Sequence, residues 1–161
     1  DKRLAKLKPR LARSGLSNVH PARIEHERDQ KVKRLAGKVD RVLVDAPCSG
    51  LGTLRRNPDL KWRQSAAAVA ELVAKQAAIL EAAATLVKPG GRLVYATCSL
   101  LAAENDEVVA AFLARRPEFR LVPAEGILAG QGITLAGEML RLRPDLHGTD
   151  GFFAAALEKC K

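Results

Sequence analysis

Two cysteines lie in turns of nearly matching make-up, and a thiol in such a place can attack carbon, carry a proton or bond a second thiol. Cys48 sits in Asp45-Ala46-Pro47-Cys48-Ser49-Gly50, and Cys98 in Ala96-Thr97-Cys98-Ser99. Each turn follows a run suited to a buried parallel strand, Val39 to Asp45 (VDRVLVD) and Arg92 to Thr97 (RLVYAT). In open α/β sheets ligands bind outside the carboxyl ends of the strands. The roughly 45 residues between the two runs contain one long helix, enough for a right-handed crossover. The strands are therefore expected to be neighbours, with both thiols and Asp45 converging on one crevice. Packing is the ordinary fate of a buried cysteine, but two such turns at matching strand ends are hard to explain by packing. A redox pair lacks Cys-x-x-Cys spacing. No metal site is expected, because the cysteines lack zinc-type spacing and His20, His26 and His147 fall in polar, turn-rich stretches.

The elements that must position these turns follow from periodicity. Residues 2–14 carry Leu4, Leu7 and Leu11 at helical spacing among basic residues, and Gly15 is a natural stop. Residues 20–38 are polar and charged, with a short strand expected near Val19 and then a loop or helical turn. An Ala-rich helix is predicted over 64–87, stopped by Pro89-Gly90-Gly91. A helix over Asn105 to Arg116 and a strand over Phe119 to Val122 follow. Residues 124–151 hold six of the twelve glycines with no periodicity and read as a loop. Phe152 to Leu157 reads as the last strand. Strand, helix, strand, helix, strand is the signature of an α/β layered domain with a mostly parallel sheet. No internal repeat or linker divides it.

At 161 residues, 47% hydrophobic and 28% charged, the chain has the size of one domain and can bury a core. With aromatics at 4%, that core must be mostly Ala, Leu and Val. No apolar run approaches the ~20 residues of a membrane span, and the first residues do not read as a secretion signal. Three cysteines are an odd number, which excludes a disulfide-stapled scaffold and suggests a reducing, cytoplasmic setting. Cys160 reads as a free thiol without a role. Net charge is +9, and residues 1–38 hold 12 Lys/Arg against 4 Asp/Glu. Such asymmetry suits a polyanion partner, and equally a solvated helix surface.

The motifs together resemble the Sun/RsmB family of RNA cytosine-5 methyltransferases. They are the Cys48 turn, Arg56-Asn57-Pro58-Asp59 with Lys61-Trp62, Lys88-Pro89-Gly90-Gly91, Tyr95-Ala96-Thr97-Cys98-Ser99, Glu104-Asn105 and Asp150-Gly151-Phe152-Phe153, in that order. The resemblance runs from about residue 2 to 158 and is nearest to members that modify small-subunit ribosomal RNA. It implies a Rossmann-like fold, S-adenosylmethionine as methyl donor and RNA, ribosomal in kind, as partner. It makes Cys98 the nucleophile toward carbon 6 of cytosine, which turns the ring into an enamine able to take a methyl group at carbon 5. Cys48 then assists release of the adduct, and Asp45 lies by cofactor and base. A DNA cytosine-5 methyltransferase would use the Pro-Cys cysteine instead and would need a target-recognition region that 161 residues do not hold.

In the loop Leu54 to Arg63, four cations surround one acid beside an aromatic. Arg55, Arg56 and Lys61 suit RNA phosphates, while Trp62 could stack on a base or anchor in the core. Two features of the family are missing. No glycine-rich cofactor loop precedes the first strand, since Gly50-Leu51-Gly52 and Gly130-Gln131-Gly132 lie in the wrong places. Arg23 stands where an acid near the adenine is expected, with Glu25, Glu27 and Asp29 close by. The resemblance thus implies that residues 1–161 are one partial domain, the carboxyl-terminal portion of a methyltransferase domain without its first two strands. Such a chain is expected to bind cofactor weakly and to be inactive alone. The alternative is a non-catalytic RNA-binding fragment.

Overall fold

The computed structural model describes residues 2–161, with side chains from Leu4 onward. The chain opens with α1 (Lys2–Ser14), whose Leu4, Leu7 and Leu11 are half-buried on one face. No strand forms near Val19. Residues 15–29 are irregular, and Asp29 caps the single turn α2 (Gln30–Lys33) by accepting from the Lys31 backbone N–H at 2.9 Å. Strand β1 (Val39–Asp45) is followed by a 3-10 turn over Leu51–Thr53 and by α3 (Leu60–Arg63). Helix α4 (Ala66–Ala84) is capped by the Ser65 hydroxyl, which accepts from Ala68 N–H at 3.2 Å.

The helix ends at Ala84, earlier than expected, and Pro89-Gly90-Gly91 lies inside β2 (Val87–Thr97). There it makes an irregularity: the register passes from Val39↔Val87 to Arg41↔Arg92, so extra residues of β2 bulge out. Gly90 takes φ +74°, and a Cβ on Gly91 would meet the Lys88 carbonyl under 3 Å away, so the bulge requires glycines. A 3-10 turn over Ala102–Glu104 precedes α5 (Asp106–Arg115) and β3 (Phe119–Val122). Residues 124–151, expected to be loop, form α6 (Ala124–Ala129), β4 (Leu140–Leu142) and α7 (Pro144–His147). These pieces are too short to show a period. The last element is β5 (Phe152–Lys159).

The sheet runs β1-β2-β5-β3, with β4 also paired to β5. The expected β1–β2 neighbourhood holds, parallel and joined through α4, with Asp45 opposite Ala96. The expectation of a mostly parallel sheet does not hold, because β5 is antiparallel to β2, β3 and β4. The physical reason is the connection. Only residues 143–151 separate β4 from β5, too few for the dozen or more that a parallel crossover needs. The sheet is therefore mixed, with β5 the one reversed strand among those described. Strands β3 and β4 lie end to end along the same edge of β5, opposite Val122↔Ala156 and Leu140↔Ala154 respectively.

Helices α4 and α5 cover one face. Leu80, Val87, Leu93, Tyr95, Val109, Phe112, Phe153 and Leu157 are fully or almost fully buried there. Aromatics are few but central: Tyr95 meets Phe153 edge-on, and Phe112 meets Phe119 likewise. Among the described residues β1 pairs only with β2, and Leu43 on its outer side is 70% exposed. No helix of the described residues is long and apolar enough to cross a membrane.

Candidate active site

Past their last paired residues, β1 and β2 turn away from the sheet together. Ala46 N–H donates to the Ala96 carbonyl at 2.9 Å, and Gly52 N–H to the Cys98 carbonyl at 2.9 Å. The two thiols meet between these bonds, with Cys48 Sγ 3.3 Å from Cys98 Sγ and both partly buried. Burial, and then the hydrogen bond with Cys98, pushes the Cys48 thiol up to about 12 from its ordinary 9.0. The neutral thiol of Cys48 is thereby favoured, and either sulfur can be the donor across the 3.3 Å contact. Cys160 is exposed, far along the chain at the end of β5.

The serine after each cysteine is buried and points to one acid. Glu104, fully buried, accepts from Ser49 N–H at 2.8 Å and Gln76 Nε2 at 3.0 Å on one oxygen. Its other oxygen accepts from the Ser49 and Ser99 hydroxyls, each at 2.5 Å. Gln76 also donates to the Pro47 carbonyl at 2.9 Å, and Tyr95 Oη donates to the Glu104 carbonyl at 2.6 Å. Asn105 bonds the Thr97 hydroxyl and the Ser99 carbonyl, bracing the second turn. The acceptor capacity of Glu104 is filled by donors, which is what makes a buried carboxylate tolerable. No role for Ser49, Gln76, Ser99 or Glu104 was foreseen from the sequence. The available signals were the serine repeated after each cysteine and the Glu104-Asn105 motif.

A third loop closes on the pair. Gly151 N–H donates to the Gly52 carbonyl at 2.8 Å, and a Cβ on Gly52 would run into the Gly151 carbonyl, with the Cys98 carbonyl at 2.7 Å. The loop after Cys48 is fastened there by its arginines. Arg55 Nη1 donates to the Gly148 carbonyl at 2.8 Å, and Arg56 Nε lies 2.9 Å from Asp150 Oδ2. Arg55 therefore serves the loop, while Arg56 keeps its side chain 75% exposed. Lys61 Nζ lies 4.9 Å from the centre of the Trp62 ring, and Trp62 is 81% exposed, so the indole is no core anchor. Arg63 is paired with Asp59 at 2.6 Å.

Asp45 is exposed at the carboxyl end of β1, where it lines a cleft of about 430 Å³ with Ile24, Glu25, Val42 and Ile79. The walls of the cleft are largely apolar, and Glu25, Glu27, Asp45, His26 and Lys75 supply its polar groups. Among the described residues no glycine lines it. Among those residues, no cluster of His, Cys, Asp or Glu is placed to hold a metal.

Comparison with known proteins finds relatives by sequence and by fold. The family profile described as 16S rRNA methyltransferase RsmB/F matches residues 1–158. The probable ribosomal RNA small subunit methyltransferase B of Synechocystis is 50% identical over 122 residues, which cover 75% of this chain and 27% of that protein. Ribosomal RNA small subunit methyltransferase B of Klebsiella pneumoniae is 48% identical over 120 residues, covering 74% and 26%. The structure of NSun6 from Pyrococcus horikoshii with SFG superposes with a TM-score of 0.78 at 30% identity, covering all of this chain and 40% of that one. The chain spans about a quarter of the length of these curated relatives.

Proposed function

This chain belongs to the 16S rRNA methyltransferase RsmB/F family, and we propose that it carries the thiol chemistry of cytosine-5 methylation of small-subunit ribosomal RNA. The observation that carries the proposal is the 3.3 Å approach of Cys48 and Cys98 at the ends of adjacent parallel strands. In this reaction Cys98 Sγ, as thiolate, bonds to carbon 6 of cytosine, and the ring's electrons move so that carbon 5 becomes nucleophilic. S-adenosylmethionine supplies a methyl group on a sulfonium, and NSun6, solved with the analogue sinefungin, supports that choice. Carbon 5 then loses its proton to a base and the bond to Cys98 breaks, which restores the thiolate and the aromatic ring. Cys48, 3.3 Å away, assists that release.

Asp45 is one of the residues lining the cleft, and in this reading its carboxylate contacts cofactor and base edge. The apolar side chains of Ile24, Val42 and Ile79 suit the ring of the cofactor, while Glu25 and Glu27, set against Lys75, suit its cation. The remaining portion, with the glycine-rich loop and the first two strands, is assigned to the part of the relatives outside the matched quarter, beside the edge of β1 that is unpaired among the described residues. By this assignment residues 1–161 are one partial domain, weak in cofactor binding and inactive by itself. Arg55, Arg56 and Lys61 line the loop that meets RNA phosphates, and cytoplasmic ribosomal RNA is the substrate.

The test uses a longer protein containing this chain, labelled methyl donor and small-subunit ribosomal RNA. Label should appear at carbon 5 of cytosine. Cys98→Ala should abolish covalent capture of RNA, and Cys48→Ala should accumulate it. Loss of capture in Cys48→Ala with retention in Cys98→Ala would reverse the two roles, and no labelled cytosine at all would overturn the function.

A further inference from the structure

We propose that Glu104 is a positioning residue for the two-thiol chemistry, setting the Cys48–Cys98 separation by clamping the serine that follows each cysteine. Its purpose rests on the methyl-transfer function proposed above, whereas the clamp rests on geometry alone. Glu104 belongs to neither thiol-bearing turn. It sits on the 3-10 turn over Ala102–Glu104, which α4 and α5 hold beneath both turns. One of its oxygens takes both serine hydroxyls at 2.5 Å, so a single atom joins the residue after Cys48 to the residue after Cys98. The other takes Ser49 N–H, a backbone group, so the first turn is fixed in its main chain as well. Beyond Asp45↔Ala96 the sheet ladder between β1 and β2 has ended. A few hydrogen bonds must then keep the two turns in place.

A buried acid is an expensive way to fill this space. An apolar side chain of similar volume in such a position is often neutral or stabilising, yet here it would leave Ser49, Ser99 and Gln76 without their acceptor. The gain from a carboxylate is directional: it fixes two hydroxyl groups to one point, and the thiols with them. Catalytic groups displaced by about 1 Å lose on the order of 100-fold in rate. Glu104→Leu keeps much of the bulk but removes both acceptor oxygens, so the tethers to Ser49 and Ser99 are lost together. Glu104→Gln is milder, because its amide N–H₂ can donate to hydroxyl oxygens that turn to accept.

The test is made on this chain with Cys160→Ser, leaving Cys48 and Cys98 as its thiols. Diamide removes two electrons and two protons from the pair, forming the disulfide and the corresponding hydrazine, and mass spectrometry after alkylation follows the rate. Glu104→Leu, still folded by near-ultraviolet circular dichroism, should close the bond at least about tenfold more slowly. Ser99→Ala should slow it as well, and Ser99→Thr, which keeps the hydroxyl, should restore it. An unchanged rate in folded Glu104→Leu, or Ser99→Thr no faster than Ser99→Ala, overturns the clamp. If Glu104→Leu does not fold, the Ser99 pair decides. RNA capture by the longer protein is scored separately: its absence in the parent removes the methyl-transfer function, while the disulfide rates alone judge the clamp.

Discussion

Arg56 Nε lies 2.9 Å from Asp150 Oδ2, an ion pair between the loop that follows Cys48 and the loop that precedes β5. The arginine is mostly exposed, whereas Asp150 is largely covered and its Oδ1 is buried without a partner among the described residues. An exposed pair of this kind is worth about 0–1 kcal/mol, so the guanidinium can hold the loop and still meet a phosphate. Arg56→Ala should weaken RNA binding and reduce the slope of log affinity against log salt by about one. Asp150→Asn should leave that slope unchanged. Filter binding over a salt series separates the two.

Trp62 offers a cleaner separation of binding from folding. It is the only tryptophan and stands out into solvent beside Lys61. Trp62→Ala should change stability by less than about 0.5 kcal/mol. RNA affinity should fall by about 1–3 kcal/mol if a base stacks on the indole. Quenching of the single-tryptophan emission on adding RNA reads the contact directly. Unchanged emission at saturating RNA argues against stacking.

The Cys48 thiol gives a pH dependence of definite sign. Its folded value is raised, by burial first and the hydrogen bond with Cys98 second, from 9.0 to about 12. The neutral thiol is therefore favoured by folding. Its contribution is fully present below pH 9.0 and is lost as pH rises toward about 12. Tyr95, raised by burial and then by Glu104 and Cys48, acts in the same direction. Urea unfolding should show stability falling across this alkaline window, and Cys48→Ala should flatten the fall. At pH 8, alkylation should reach exposed Cys160 well before Cys48.

Gly52 is the point where three loops touch. Gly52→Ala puts a methyl group against the Gly151 and Cys98 carbonyls, which are backbone and cannot swing aside. The expected cost is about 1–3 kcal/mol, as for overpacking elsewhere. The diamide reaction of Cys48 with Cys98 should slow as well, since the Cys98 carbonyl must move. Urea denaturation and thiol titration check both.

Much of this arrangement was legible in residue order. VDRVLVD and RLVYAT are long, apolar and bounded by turn residues, so both strands, their adjacency and the meeting of Cys48 with Cys98 could be foreseen. The Glu104 clamp could not. Its partners are single polar residues at 49, 76 and 99, and no periodicity marks a buried acid that accepts from distant hydroxyls. The pieces within 124–151 were lost because a three-residue strand and helices of four and six residues complete too few periods. Missing β4 concealed the short β4–β5 connection, and with it the direction of β5.

That direction has a geometric consequence. A strand running against its neighbours begins at the edge where they finish. Asp150 and Gly151, which lead into β5, are for this reason delivered beside the cysteine turns. Had β5 run with β2, its eight residues would have carried that entry roughly 25 Å away, to the opposite rim of the sheet. One inverted polarity thus brings a third segment of chain to the thiol pair, which aligned strands could furnish with only two.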